Sequence, residues 1–585
     1  MKSELERLLA NALNTLTGTV LPQAVDPAWI NVERARDASH GDYACNIALR
    51  LAKTVGRPPR EIAQAIVAAL APSPMLARAE VAGAGFINFH LRRDAHSAVL
   101  RQVLEQGERY GESAAGRGEL VLLEFVSANP TGPLHVGHGR QAAYGATLGN
   151  LLRVTGHSVH REYYINDAGR QMDILTLSTW LRYLQRGGAT LPFPSNGYRG
   201  DYVNAIAAQL ELRRGRELQR PAAQLLLDLP QDAPLGDKDQ YIDALISRMR
   251  ALLGDGGFDQ VLELALEAML ADIREDLTAF GVEYDRWYSE RELAGSGAVE
   301  HALEQLEARA ALYRKDGALW FRASQYGDDE DRVLVRANGQ KTYFAPDIAY
   351  HLQKRERGFA RLIDVLGADH HGYVARVRGA LVAMGEPGES LEACLMQFVS
   401  LFRGGQKVPM GKREAQFVTL RQLREEVGND ACRFFYLMRS HDQQLEFDLE
   451  LAKSRTNDNP VYYIQYAHAR VASVMKQLEA RQLQYDAQMA SENLARLDSA
   501  QEQAALRELA RYPEVVLQAA AARAPHTLVH YLRELANTFH SWYNAATFIV
   551  EDAPLRNARL ALALGVRQVI RNGLALLGVS APDSM

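Results

Sequence analysis

Two histidines three residues apart, His135 and His138, close the string Ser127-Ala-Asn-Pro-Thr-Gly-Pro-Leu-His-Val-Gly-His138. At that spacing they share one face of the first turn of a helix. Imidazoles so placed donate hydrogen bonds to a phosphate oxygen as negative charge builds on it. The start of a helix adds unpaired N–H groups and a positive dipole, a ready seat for an anion. Gly137 has no Cβ, so an adenine ring can approach the backbone closely. The string reads as an ATP-binding turn, with His135, Gly137 and His138 facing the nucleotide. Two further segments offer charge. Lys407-Val-Pro-Met-Gly-Lys-Arg413, with Met410 and Lys412, reads by itself as a solvated basic loop. Glu124 lies inside an apolar run, where an unpaired charge is costly, so a ligand role is the stronger reason for it.

The elements that must position these groups follow from pattern. Leu120-Val-Leu-Leu-Glu-Phe-Val126 is a buried-strand candidate, Pro130, Gly132 and Pro133 shape a tight turn, and a helix follows His135. Ser158–Ile165 is a second strand and Leu362–Leu366 a later one, an order that predicts a parallel, doubly wound, Rossmann-like sheet. Residues 1–110 read as a small α+β unit, with helices near 3–16 and 60–70 and a short strand at Gly85–Leu91. Gly107 and Gly111–Gly118 read as a linker. The α/β catalytic unit is expected over 119–400, interrupted by a polar, helix-rich insertion at about 175–330 whose stretch 213–239 is charged, exposed and mobile. A signature-loop region occupies 401–455, and an all-α bundle occupies 456–585, where Val461, Ile464, Ala467, Val471 and Val474 keep one face apolar.

Composition narrows the function classes. At 585 residues three or four domains are expected, and 47% apolar with 23% charged residues is ordinary for a globular chain. No run of eighteen uncharged apolar residues occurs, which argues against a membrane span, and the first residues form an amphipathic helix rather than a signal core. Cys45, Cys394 and Cys432 are far apart with no CxxC spacing, so neither a disulfide framework nor a cysteine zinc site is expected; no metal ligands are assigned, and a reducing cytoplasm fits. A net charge of −5 is unlike the usual nucleic-acid binder, but a local basic stripe on an acidic protein still binds phosphate.

His135-Val-Gly-His138 resembles the HIGH signature of class I aminoacyl-tRNA synthetases, and Glu124-Phe-Val-Ser-Ala-Asn-Pro-Thr-Gly-Pro-Leu-His resembles arginyl-tRNA synthetases in particular. Collinear matches follow at Tyr163–Gln171, Thr342–Ile348, Gly367–His371, Asp430–Phe435 and Asn459–Arg470. In the second signature, resembling Lys-Met-Ser-Lys-Ser, Pro409 and Gly411 depart from the pattern while Lys412 is kept. Many arginyl enzymes carry a lysine before the HIGH turn instead; that position is Gly132 here, which leaves Lys412 as the phosphate cation.

The resemblance implies an arginine–tRNA ligase that activates arginine with ATP to arginyl-adenylate and passes it to the 3′-terminal adenosine of arginine tRNA. Magnesium comes with the ATP, and no zinc is implied. His135, His138 and Lys412 become catalytic, with Gly137 and Met410 also on ATP. Glu124 and Asp347 face the guanidinium beside Tyr343, while Ser127, Asn129 and His370, which stands at a glutamine position, hold the amino and carboxylate end. Carboxylates in forked geometry are the chemical match for a guanidinium. For tRNA the resemblance implies elbow contact by the N-terminal unit through Phe86 and Asn88, and anticodon contact through Tyr466, Tyr543 and Met585; on helices, tyrosines are as readily core. A monomer without membrane association is expected. Two alternatives stay open at this point: another HIGH-type enzyme, or a catalytically silent relative that only binds tRNA.

Overall fold

Leu120–Phe125 is apolar on both faces, which suits the middle of a parallel sheet covered on each side. The computed structural model describes residues 1–35, 37, 40–409 and 418–585. In it this run is β1 (Leu120–Phe125), followed by β2 (Ser158–Ile165), β3 (Arg286–Ser289), β4 (Arg361–Gly367) and β5 (Leu391–Met396). The five form one sheet in the order β5-β4-β1-β2-β3, every neighbouring pair parallel. The chain reverses its direction of travel across the sheet between β1 and β4. Ligands bind in the crevice at such a switch point, beyond the carboxyl ends of the two strands.

Helix α1 (Val136–Val154) connects β1 to β2. It approaches the sheet closely because its inner face is made of small residues; a Cβ on Gly145 would lie 2.3 Å from the Phe125 ring. The helices used below are α2 (Arg170–Arg186), α3 (Phe344–Glu356), α4 (Asn429–Leu437), α5 (Pro460–Ala480), α6 (Pro525–Ala545) and α7 (Ala553–Leu577). One apolar core runs without a break from the sheet into the C-terminal helices. By length and composition α7 could cross a bilayer, but 67% of its most apolar window is buried inside the protein.

Three expectations need correction. The 175–330 stretch is not one helical insertion: β3 lies inside it and joins the catalytic sheet, and a three-stranded antiparallel sheet follows at 312–335. Within the stretch 213–239, Leu218 and Leu225 are buried in the insertion's own core, so it is not uniformly exposed. The N-terminal unit holds a four-stranded sheet within residues 32–91, but the helix Arg93–Gln106 leaves it. Val99, Leu100 and Val103 on that helix are buried in the catalytic and C-terminal core instead. Gly111 packs against Tyr512, with a Cβ there only 2.5 Å from the ring, while Ser113, Gly116 and Gly118 donate to the carbonyls of Val154, Thr155 and Gly156, so the glycine-rich linker is bonded to the catalytic unit.

Candidate active site

The chain leaves β1 through a strained turn. Val126 and Ser127 have φ of 70° and 40°, left-handed values that cost a non-glycine residue roughly 1–3 kcal/mol each. The turn is held from several sides. Tyr284 donates to Phe125 O at 3.0 Å, Tyr163 donates to Ala128 O at 2.9 Å, and Tyr202 donates to Thr131 O at 2.6 Å.

The turn delivers His135 as the N-cap of α1. Its Nδ1 accepts from Gly137 N at 3.0 Å, and His138 Nδ1 accepts from His135 N at 3.3 Å. A ring nitrogen that accepts a backbone N–H carries no proton, so in the neutral rings the proton sits on Nε2 of both. The rings stack with centroids 3.6 Å apart, which fixes the two donors as a pair. A Cβ on Gly137 would lie 2.9 Å from His135 Cε1, so a larger residue there displaces the ring. The signature turn is also tied to the chain beyond the second signature: Leu420 N donates to Leu134 O at 2.7 Å, and His135 bridges Thr419. Met410 and Lys412 lie outside the described residues. Both ends that bracket them, Pro409 and Val418, belong to the described chain, and Val418 O accepts from Val136 N at 3.3 Å.

The expected arginine ligands separate into two groups. Glu124 is 8% exposed and both of its oxygens are occupied: Oε1 accepts from Ser127 Oγ at 2.9 Å and Oε2 from Lys354 Nζ at 2.6 Å. The Ser127 hydroxyl is engaged too, accepting from Tyr164 N at 3.1 Å. Lys354, fully buried on α3, also reaches Asp364 at 3.0 Å, and His351 Nε2 lies 2.8 Å from the other Asp364 oxygen. Glu124 is therefore already paired in this fold, contrary to the expectation of a carboxylate with no partner but a ligand.

Asp347, one turn before His351 on α3, is different. Burial, with Glu124 nearby, pushes its carboxyl up to about 6, against the opposing pull of His351 and a hydrogen bond from Tyr373. Glu290, directly after β3, is pushed up to about 7 by burial and by the charges of Asp347 and Asp167. Its Oε2 is enclosed without a hydrogen-bond partner among the described residues. In such surroundings a bound cation would favour the ionised form of both. The residues signalled by sequence include Asp347 but not Glu290.

The remaining expected ligands lie at the rim. Asn129 donates to Gln171 Oε1 at 2.8 Å. Tyr343 caps α3 and is 72% exposed, and His370 stands past the end of β4 with its ring 6.0 Å from that of Tyr373. Among the described residues no group of three or more His, Cys, Asp or Glu is arranged to hold a metal, and the three cysteines are free and buried.

Of the expected tRNA contacts, Phe86 is 44% exposed on its strand, but Asn88, on the same strand face, is only 4% exposed. Neighbouring residues cover it, so Asn88 does not stand at the surface as expected. Tyr466 on α5 and Tyr543 on α6 are half-buried, and Arg470 lies between them, 4.4 Å and 4.6 Å from the two ring centroids. Arg470 was not among the expected residues, although its i+4 relation to Tyr466 is visible in the sequence. Met585 is half exposed.

Models of three families match the chain: the arginyl tRNA synthetase N terminal domain over residues 3–91, the tRNA synthetases class I (R) catalytic domain over 99–205, and the DALR anticodon binding domain over 464–585. The chain is 56% identical over 590 residues to an arginine–tRNA ligase of Thioalkalivibrio sulfidiphilus and 52% identical over 592 residues to that of Hydrogenovibrio crunogenus, in each case with both chains covered completely. Its fold superposes on the arginyl-tRNA synthetase of Thermus thermophilus with a TM-score of 0.76, at 25% identity and with both chains covered completely. The stacked histidine pair at the sheet's switch point and these full-length likenesses agree, and the chain belongs to the arginyl-tRNA synthetase family of class I aminoacyl-tRNA synthetases.

Proposed function

We propose that the crevice beyond β1 and β4 binds arginine and ATP side by side, with the roles of its residues divided as follows. The chain is an arginine–tRNA ligase. The arginine carboxylate attacks the α-phosphorus of ATP; the bond to the pyrophosphate breaks, leaving arginyl-adenylate and pyrophosphate. A terminal ribose hydroxyl of the tRNA, the 2′-OH by class analogy, then attacks the adenylate carbonyl and AMP departs. No protein nucleophile is needed, and positioning with electrostatic stabilisation supplies the acceleration.

The Nε2–H groups of His135 and His138 donate to phosphate oxygens as charge develops, and Lys412 supports the departing pyrophosphate. Gly137 and Met410 flank the nucleotide, which comes as its magnesium complex. Asp347 and Glu290 hold the guanidinium, with Tyr343 at the rim. Glu124 acts one step back: paired with Lys354, it holds the Ser127 hydroxyl that shapes the turn. Asn129 and His370 serve the amino and carboxylate end. Phe86 meets the tRNA elbow, and Tyr466, Tyr543 and Met585 meet the anticodon. The protein works as a cytoplasmic monomer.

The observation that carries this reading is the histidine pair. The two rings stack at the N-terminus of α1, at the switch point of the parallel sheet, where a phosphate meets the helix's own N–H groups. Arginine-dependent ATP–pyrophosphate exchange tests it, run with and without arginine tRNA; exchange is expected when the tRNA is present. No exchange under either condition overturns the reading, and exchange driven by another amino acid overturns the choice of arginine.

A further inference from the structure

After α7 the chain turns back along α4 and α5, and residues 579–583 are held there by polar groups from three helices. Asp430, in the first turn of α4, accepts Ser580 N at 3.0 Å and the Ser580 hydroxyl. Gln465 on α5 donates to Asp430 Oδ2 at 2.8 Å and to Ser580 O at 3.0 Å. One turn further, His468 Nδ1 donates to Pro582 O at 2.9 Å, while its Nε2 accepts from Arg567 Nε on α7 at 3.3 Å. Arg567 also pairs with Asp583 at 2.6 Å. His468 is 1% exposed and Gln465 8%.

The segment owes little of its position to apolar packing. A cavity of about 450 Å³ lies beneath it, lined by His468, Arg567, Arg571 and Asp583 with Val579 and Ala581. Only Val579 is a buried apolar residue there, while residues 583–585 are exposed. An extended segment over a cavity has its course set by its hydrogen bonds. Buried donors and acceptors are costly to leave unpaired, which makes that course specific. Two of the anchors, Gln465 and His468, lie on α5, the helix that also carries Tyr466 and Arg470 of the Tyr466–Arg470–Tyr543 sandwich.

We propose that Asp430, Gln465 and His468 are positioning residues for tRNA: they clasp residues 580–582 and so fix the end of the chain, with Met585, against α5, the helix that also carries Tyr466 and Arg470. This rests on the reading above that Met585 meets the tRNA. The clasp groups themselves face inward and touch no substrate. Their effect is to spare the complex the ordering of a loose segment on binding.

The test uses the full chain in steady-state aminoacylation. Four changes are compared: deletion of residues 581–585, Asp430→Ala, His468→Ala and Ser580→Ala. Each is expected to raise the KM for tRNA, the deletion and Asp430→Ala by about ten-fold, with kcat and the KM values for arginine and ATP unchanged. Asp430→Ala placed in the deleted chain is expected to add nothing further. If the deletion raises the tRNA KM but Asp430→Ala and Ser580→Ala leave it alone, the clasp is overturned while the tRNA role of the segment stands. If the deletion itself has no effect, the tRNA role of Met585 falls and the clasp falls with it. A loss spread over kcat and all three substrates marks a structural role and overturns positioning; Ser580, whose residue is exposed, keeps that outcome separable from misfolding.

Discussion

The Lys354 ammonium and the Glu124 carboxylate lie 2.6 Å apart at the floor of the crevice, and neither is accessible to water to any useful extent. Lys354 holds Asp364 as well, at 3.0 Å, so two buried carboxylates share one cation. Coulombic attraction from both keeps the lysine charged against the burial that opposes it. The same arrangement holds Asp364 well below the usual carboxylate range. The strand β1, the neighbouring strand β4 and the helix α3 are thus pinned at one point directly beneath the substrate turn.

Lys354→Met is expected to destabilise the protein by about 3–5 kcal/mol, because it leaves two buried carboxylates without a partner. Urea unfolding of the two proteins measures this. A change smaller than about 1 kcal/mol contradicts the assignment of the pair as a buried, mutually dependent unit.

The arginine-side carboxyls predict a pH dependence. Asp347 is raised to about 6 and Glu290 to about 7, so in the empty site both hold protons at mildly acid pH and lose them as pH rises. A guanidinium binds the ionised forms. The KM for arginine should fall as pH climbs through that window, and binding should release protons, read by calorimetry in buffers of different ionisation enthalpy. The stability sign is the reverse. In the folded protein a raised carboxyl keeps its proton after the unfolded chain has lost it, so these groups withdraw stability as pH rises from their ordinary value to the raised one. Saturating arginine should flatten that slope. Glu290→Gln, which removes one of the two raised carboxyls, should narrow the pH range over which the KM changes.

How much of this was legible beforehand divides by distance along the chain. The turn from β1 into α1 was readable because an apolar run, a proline-glycine turn and the two histidines are contiguous. Lys354 was not, since 230 residues separate it from Glu124 and no local pattern links them. Glu290 was hidden for a related reason. It stands in a charged stretch, Ser289-Glu-Arg-Glu292, where any carboxylate resembles its neighbours. Its only signal was position, at the carboxyl end of β3, and β3 itself is four residues long without an apolar run. Such an edge strand is defined by pairing with β2, not by its own composition.

The histidine pair yields a catalytic prediction. His135→Ala and His138→Ala are each expected to lower kcat by about 10²–10³, the usual effect of removing a fixed donor to a developing oxyanion. The rings stack at 3.6 Å, so either change also frees the other ring. The double variant should therefore lose less than the product of the two single losses. Full multiplicativity in single-turnover adenylate formation would contradict the coupling.

Gly139, one residue after His138, joins the signature helix to the wall behind it. A Cβ there would lie 2.7 Å from Leu420 Cδ1 and 2.8 Å from the Tyr436 hydroxyl oxygen. Tyr436 is 1% exposed and Leu420 fully buried, and Leu420 N is bonded to Leu134 O at 2.7 Å. Both neighbours are enclosed, so neither side chain has open space to give way into. Gly139→Ala should therefore push α1 outward at its first turn, at a cost of about 1–3 kcal/mol. Because the displaced turn carries both imidazoles, kcat should fall more than the KM for arginine, whose carboxyls sit on α3 and after β3. Thermal melting and steady-state kinetics on the same preparation check both parts. An unchanged melting temperature would show that the wall has room for the methyl group, whereas lost stability with unchanged kcat would show that the histidines are held independently of the helix.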